Sequence, residues 1–268
     1  MISFVGAGPG AADLVTLRGA QRLAGADLVV WASSLVPEAL LEHCRPGAAV
    51  FDSATMTLED VLALYGGQPE GAPIVRLHSG DPSLYGAVAE QAAWCDANAR
   101  SWEIVPGVTS LAALAAAAGT PLTVPGVSQS VVLTRLPGKT AASMPGGGVA
   151  ALAGHGSTMA IFLAGARPDE LQAELLSPGS GYGPDTPALI GTRVSWPDEA
   201  LLATTVGRVA QDMRSTGSTM TMLVVVGEAM SAGPPPRRSH LYSPGFTTAY
   251  RLRSVEGSTR GRPSARRR

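Results

Sequence analysis

Apolar residues along the chain fall into short, β-branched runs separated by longer stretches in which they recur every three to four positions. A run with strand periodicity bounded by turn formers reads as a strand, and the 3.6-residue period reads as an amphipathic helix. The pattern places strands at 2–5, 27–31, 49–51, 73–77 and 102–105, and again at 129–134, 158–163, 188–192, 201–205 and 220–226. Helical segments lie between them. One over 17–24 is opened by Thr16 and stopped by Gly25, one over 84–98 is opened by Ser83, and others cover 110–118, 169–176 and 206–214. Such alternation predicts α/β architecture with a largely parallel sheet.

Five strands, the turn Gly119-Thr120-Pro121 and five more strands predict two α/β lobes, residues 1–121 and 122–230. Residues 137–148 hold four Gly and two Pro and read as a surface loop. After Met230 the composition shifts to a Pro- and Arg-rich extension, 231–268, in which only His240, Leu241, Tyr242 and Phe246 offer material for docking; beyond 253 it is expected to be disordered.

Charge sharpens that division. The net charge of -1 is the sum of an acidic body, with 11 Lys+Arg against 20 Asp+Glu over 1–229, and a tail with nine Arg against Glu256 alone. A chain that is 45% hydrophobic and 15% charged can bury a sizeable core. No apolar run approaches the roughly 20 residues of a membrane span, and the N-terminus MISFVGAGPG lacks the basic start of a secretory signal, so a cytoplasmic location is expected. Cys44 and Cys95 have neither metal-ligand spacing nor the density of a disulfide scaffold, and no metal is expected.

Three strand-to-helix turns carry candidate chemistry: Gly6-Ala7-Gly8-Pro9-Gly10, Ser79-Gly80-Asp81-Pro82-Ser83-Leu84-Tyr85-Gly86 and Val105-Pro106-Gly107-Val108-Thr109-Ser110. Glycine there lets backbone approach a ligand closely, and open α/β sheets bind ligands beyond the carboxyl ends of their strands. The first turn suggests a flavin- or nicotinamide-binding oxidoreductase. Against that, the second strand ends in Trp31-Ala32-Ser33, where a dinucleotide fold places the acid that holds the ribose; Asp27 precedes the strand. Asp81 is either an acceptor for a ligand hydroxyl or amine, or a turn-forming residue of purely local use.

Together the three turns resemble the tetrapyrrole methylase family, through GxGPG, GDPxxYG and VPGVTS as they stand here. Further strings in the same order are Trp31–Val36, Asp52–Glu59, Arg76–Pro82, Val127–Val131, Ser157–Leu163 and Ser195–Glu199, and the match runs from residue 2 to about 229, with Ser239–Pro244 also similar. The resemblance implies a homodimer of two-lobed subunits, with S-adenosylmethionine in the cleft between lobes and a tetrapyrrole in an adjoining trough. It implies cofactor contacts at Pro9, Ser79, Gly80, Asp81, Leu84, Thr109, Ser110 and Leu163, with a further one near Val194.

Methyl transfer from a sulfonium to an electron-rich ring carbon needs alignment and exclusion of water rather than a dedicated nucleophile, and positioning alone can supply about 7–11 kcal/mol. Asp52, His78 and His155 are the candidate bases for the proton lost from the ring. The carboxylates of a tetrapyrrole call for cations, for which Arg18, Arg76, Arg135, Lys139 and Arg193 are candidates. Trp31, Met56 and Trp196 could wall an apolar trough. Nucleic acid is not expected as a partner; the Arg-rich tail is the only feature that suggests it.

Overall fold

The computed structural model describes residues 1–137, 148–231, 239, 243 and 245–251. Lys139, His240, Leu241, Tyr242, most of the 137–148 segment and the tail beyond 251 lie outside the described residues, as does the order expected or denied to them.

Two five-stranded sheets form the two lobes. The first has the order β3-β2-β4-β1-β5, all parallel, from β1 (Ile2–Gly6), β2 (Leu28–Trp31), β3 (Ala49–Asp52), β4 (Ile74–His78) and β5 (Trp102–Val105). Parallel neighbours require crossovers, supplied by α1 (Leu17–Ala24), α2 (Leu58–Gly66) and α3 (Val88–Ala97), with a short 3-10 helix at Glu38–His43. α1 starts where Thr16 accepts the Gly19 amide, and α2 where Thr57 and Asp60 form a reciprocal capping box.

The second sheet corrects the expectation of parallel strands. Its order is β6-β7-β10-β8-β9, from β6 (Val131–Arg135), β7 (Thr158–Phe162), β8 (Pro187–Thr192), β9 (Ala200–Thr205) and β10 (Met222–Val226), and only β6 and β7 run parallel. The physical reason is the short link between β8 and β9, residues 193–199, which leaves no room for a crossover helix. α5 (Gly148–Ala153), α6 (Pro168–Leu175) and α7 (Val209–Ser215) cover one face.

Three helices differ from expectation. α2 and α5 are additional to the predicted set, and α5 is only six residues long. The predicted helix at 84–98 starts only at Val88, because Ser83 donates its amide and hydroxyl to Asp81 instead of capping, and the chain turns so tightly that a Cβ on Gly86 would lie 2.3 Å from the Pro82 carbonyl oxygen.

The buried faces explain how the lobes meet. Every residue of β1, β2 and β10 is buried, and β10 is the central strand of the second sheet. α4 (Ser110–Ala117) precedes the turn at 119–121, yet its Leu111, Ala113 and Leu114 pack on the second sheet against Ala160, Leu189, Leu223 and Val225. One helix thus anchors the second lobe directly after the third motif turn. Among the described residues, no helix is long and apolar enough to cross a membrane.

Candidate active site

β1 and β4 are neighbours, and the chain leaves them in opposite directions, from β1 towards β2 and from β4 towards β5. A crevice at such a switch point is the standard ligand position in an open parallel sheet. Here it holds the first two motif turns, and the third follows β5 alongside. The glycines serve the contact between turns. A Cβ on Gly6 would lie 2.5 Å from the Gly107 Cα, and one on Gly107 would lie 2.1 Å from the Gly80 carbonyl oxygen. Gly8 and Gly80 exchange backbone hydrogen bonds of 3.3 and 2.8 Å.

Asp81 ties the second turn to the third. One carboxylate oxygen accepts from the Ser83 amide (2.8 Å) and hydroxyl; the other accepts from the Gly107 amide at 2.8 Å. Partial burial works to raise its pKa, but the hydrogen bonds from Ser83 and Gly107 outweigh it and hold the carboxyl below its ordinary value. Asp81 thus builds the turn and also lines the crevice.

The cleft has a volume of about 430 Å³ and opens between the lobes. Pro9, Ser79, Gly80, Asp81, Leu84, Thr109 and Ser110 line it from the first lobe and Leu163 from the second, so the eight residues singled out from sequence converge on one space, with Val194 and Arg193 on its wall. Sequence reasoning missed Leu35, Tyr85, Phe162 and the stretch Thr219–Leu223. A signal for two of these existed in GDPxxYG and in the end of Ser157–Leu163. The 219–223 stretch reads only as an ordinary strand entry.

Backbone strain concentrates at this place. Among the described residues, seven non-glycine positions have positive φ; Tyr85, Leu163, Arg193 and Thr221 line the cleft, Ala87 and Ser195 flank it, and only Ala99 is elsewhere. Non-glycine residues hold such angles at a cost of roughly 1–3 kcal/mol each and cluster where geometry is used. The ring of Tyr85 meets Phe162 across the lobes, with centroids 5.4 Å apart.

The link between β8 and β9 clamps the first turn. Trp196 Nε1 donates to the Pro9 carbonyl at 3.1 Å, Ser195 Oγ accepts the Ala11 amide at 3.0 Å, and the indole lies against Gly10. Arg193 stacks over the Trp196 ring at 4.1 Å and pairs with Asp198. The GAGPG turn is thereby covered by protein, which leaves it no pyrophosphate to cradle. Asp27 is paired with Arg45, away from the end of β2 where a ribose acid would stand.

The remaining candidates disperse. Asp52 is exposed, and the Ser33 side chain first, then the Ser33 and Ala54 amides donating at 3.0 and 2.9 Å, hold its carboxyl below the ordinary range. His155 and Arg18 are exposed at the surface. His78 is in the first lobe's core with its ring 6.0 Å from Phe4; burial and the Arg76 charge push its pKa down to about 3. Arg76 lies on the same face of β4, and Arg135 ends β6 near Tyr85. Trp31 is in the core, and Met56 packs half-buried beside α2.

A two-lobed fold with its cleft at three glycine turns defines a class, and comparison with known proteins names it. The model of the Tetrapyrrole (Corrin/Porphyrin) Methylases matches residues 1–210, and the chain belongs to this family. It is 41% identical over 243 residues to the precorrin-4 C(11)-methyltransferase of Rhodococcus erythropolis, covering 90% of this chain and 96% of that protein. Among solved structures it resembles a cobalamin biosynthetic enzyme, cobalt precorrin-4 methyltransferase, with a TM-score of 0.80 and 37% identity over 86% of this chain and 96% of that one. It also resembles the uroporphyrin-III C-methyl transferase of Thermus thermophilus complexed with S-adenosyl homocysteine, with a TM-score of 0.68 and 28% identity over 85% and 97% of the two chains.

Proposed function

We propose that this protein transfers a methyl group from S-adenosylmethionine to C-11 of precorrin-4, giving precorrin-5 in the assembly of the corrin ring. The observation that carries the reading is the convergence of eight motif residues on one interlobe cleft, in a chain whose 41%-identical relative bears that activity in its name.

The lining fits the cofactor by the chemistry of its donors. Ser79, Thr109 and Ser110 bring hydroxyls, Gly80 brings a close-lying backbone at φ +65°, and Leu84, Phe162 and Leu163 bring an apolar wall for a flat base. Bound there, S-adenosylmethionine supplies an electrophilic methyl. The protein's own part is to hold, align and exclude water: Thr109 Oγ accepts the Ala112 amide and fixes the start of α4, Asp81 holds its turn against Gly107, and the Tyr85–Phe162 pair covers the space between lobes. Among the described residues, no group of His, Cys, Asp and Glu is placed to hold a metal ion. The subunit is expected to work as a homodimer in the cytoplasm.

The test is turnover with mass detection. Purified protein given S-adenosylmethionine and precorrin-4 should yield a product one methyl heavier, with the new methyl at C-11 by NMR; no mass gain where a related enzyme turns over would overturn the reading. A second reading, cobalt-precorrin-4 as substrate, is favoured by the 37% identity to the cobalt precorrin-4 methyltransferase. Competition between metal-free and cobalt-loaded substrate separates the two.

A further inference from the structure

Arg76 occupies the middle of the parallel sheet, on β4 between Phe4 of β1 and Val30 of β2. Its side chain is half-buried, yet the group it bonds is neutral: Nη1 donates at 2.6 Å to Ser53 Oγ, which itself donates to the Trp31 carbonyl at 2.8 Å. Among the described residues, its buried Nε has no hydrogen-bond partner, nor has Nε2 of His78, two residues along the same face. The ionisable groups that act on it are Tyr65 and His78, neither of them an anion at neutral pH. Tyr65 is already engaged with Gln91 at 2.8 Å.

A buried guanidinium without a carboxylate is costly, and proteins normally pair such a charge. The guanidinium lies towards the carboxyl ends of the strands, where Ser53 follows β3. Three residues further along β4 the chain reaches Ser79, on the floor of the cleft, roughly 10 Å away at about 3.3 Å per residue. The uncompensated charge is thus one arm's length from the proposed site of methyl transfer.

We propose that Arg76, held by Ser53, is the receptor for one peripheral carboxylate of the tetrapyrrole, a positioning site that fixes the macrocycle's rotation over the methyl donor. The inference rests on the reading of the cleft given above. The carboxylate completes the guanidinium's hydrogen bonds by a charge-assisted pair.

The experiment measures binding of uroporphyrin III, an octacarboxylate, and of its octamethyl ester by fluorescence quenching, with S-adenosylhomocysteine binding by calorimetry as the control. In Arg76→Met, affinity for uroporphyrin III should fall at least tenfold while the ester and S-adenosylhomocysteine bind as in wild type; the melting temperature should hold or rise, since an unpaired buried charge has gone. Arg76→Lys should recover part of the loss, and Ser53→Ala should weaken uroporphyrin III several-fold, which keeps the test open if Arg76→Met does not fold. Equal affinity in wild type and all three variants, or equal loss for acid and ester, would overturn the site. Wild-type protein that binds neither S-adenosylhomocysteine nor uroporphyrin III would overturn the reading beneath it.

Discussion

The indole nitrogen of Trp196, in the second lobe, donates to the carbonyl of Pro9, in the first, at 3.1 Å. The bond joins the GAGPG turn to the link between β8 and β9, and Ser195 repeats it one residue away on Ala11. Because Pro9 and Trp196 also line the cleft, the latch between lobes and the wall of the site are one structure.

Gly10 tests the latch without touching the cleft. A Cβ there would lie 2.3 Å from Trp196 Cδ1, so Gly10→Ala must displace the indole. Affinity for S-adenosylhomocysteine should fall about tenfold, with a loss of about 1–3 kcal/mol in stability from overpacking. In a double-mutant cycle with Trp196→Ala the two effects should be strongly non-additive, because removing the ring removes the clash. Calorimetry and thermal denaturation of the four proteins check this.

Asp81 carries a pH dependence with a definite sign. Its carboxyl titrates below its ordinary value of 3.8 in the fold, so the turn's hydrogen bonds are fully present above that value and are lost as pH falls through the lower, folded one. Asp81→Ala removes both ties at once and should weaken S-adenosylhomocysteine binding tenfold or more at neutral pH. Asp81→Asn, which keeps acceptor oxygen on one side only, should fall between. Circular dichroism should show the folded protein in both.

Much of this architecture was legible in the sequence for local reasons. Ile2–Gly6 and Met222–Val226 are mostly apolar runs that stop at a glycine, and the three turns name themselves by glycine spacing. What was not legible depends on partners distant in sequence. The antiparallel course of β8, β9 and β10 is set by which strands pair, and Tyr85, Phe162 and Thr219–Leu223 join the site only once the second lobe folds over the first. Asp81 shows the limit most clearly: its turn with Ser83 is local, but its bond to the Gly107 amide spans 26 residues and cannot be read from either segment. Arg76 and Arg18 look alike as isolated cations, and only burial separates them.

Leu114 is fully buried where α4 meets the second sheet, in the cluster with Ala160, Leu189 and Val225. Leu114→Ala leaves a cavity at that seam and should cost about 2–5 kcal/mol. Since α4 begins at Thr109 and Ser110 on the cleft, slackness at Leu114 should also reach the ligand: affinity for S-adenosylhomocysteine should fall several-fold, although Leu114 does not line the cleft. Leu114→Met, close in volume, should restore both readings to near wild type. Denaturant unfolding and calorimetry on the same samples provide the comparison.

His78 separates a structural histidine from a catalytic one. Burial, then the Arg76 charge, lower its pKa from 6.5 to about 3, against a smaller opposing effect of its hydrogen bond with the Gly86 backbone. The unfolded chain takes up a proton near pH 6.5 that the folded protein refuses until about pH 3. Stability is therefore fully present above about 6.5 and declines as pH falls towards 3, by about 1.4 kcal/mol per unit for this one group. His78→Gln should flatten that slope by about one proton in urea unfolding measured between pH 7 and 4. A group with so low a pKa is a poor proton acceptor at neutral pH, so the same variant should leave the pH profile of kcat unmoved. Should that profile lose a limb in His78→Gln, the ring takes part in proton transfer and its core placement is not its whole role.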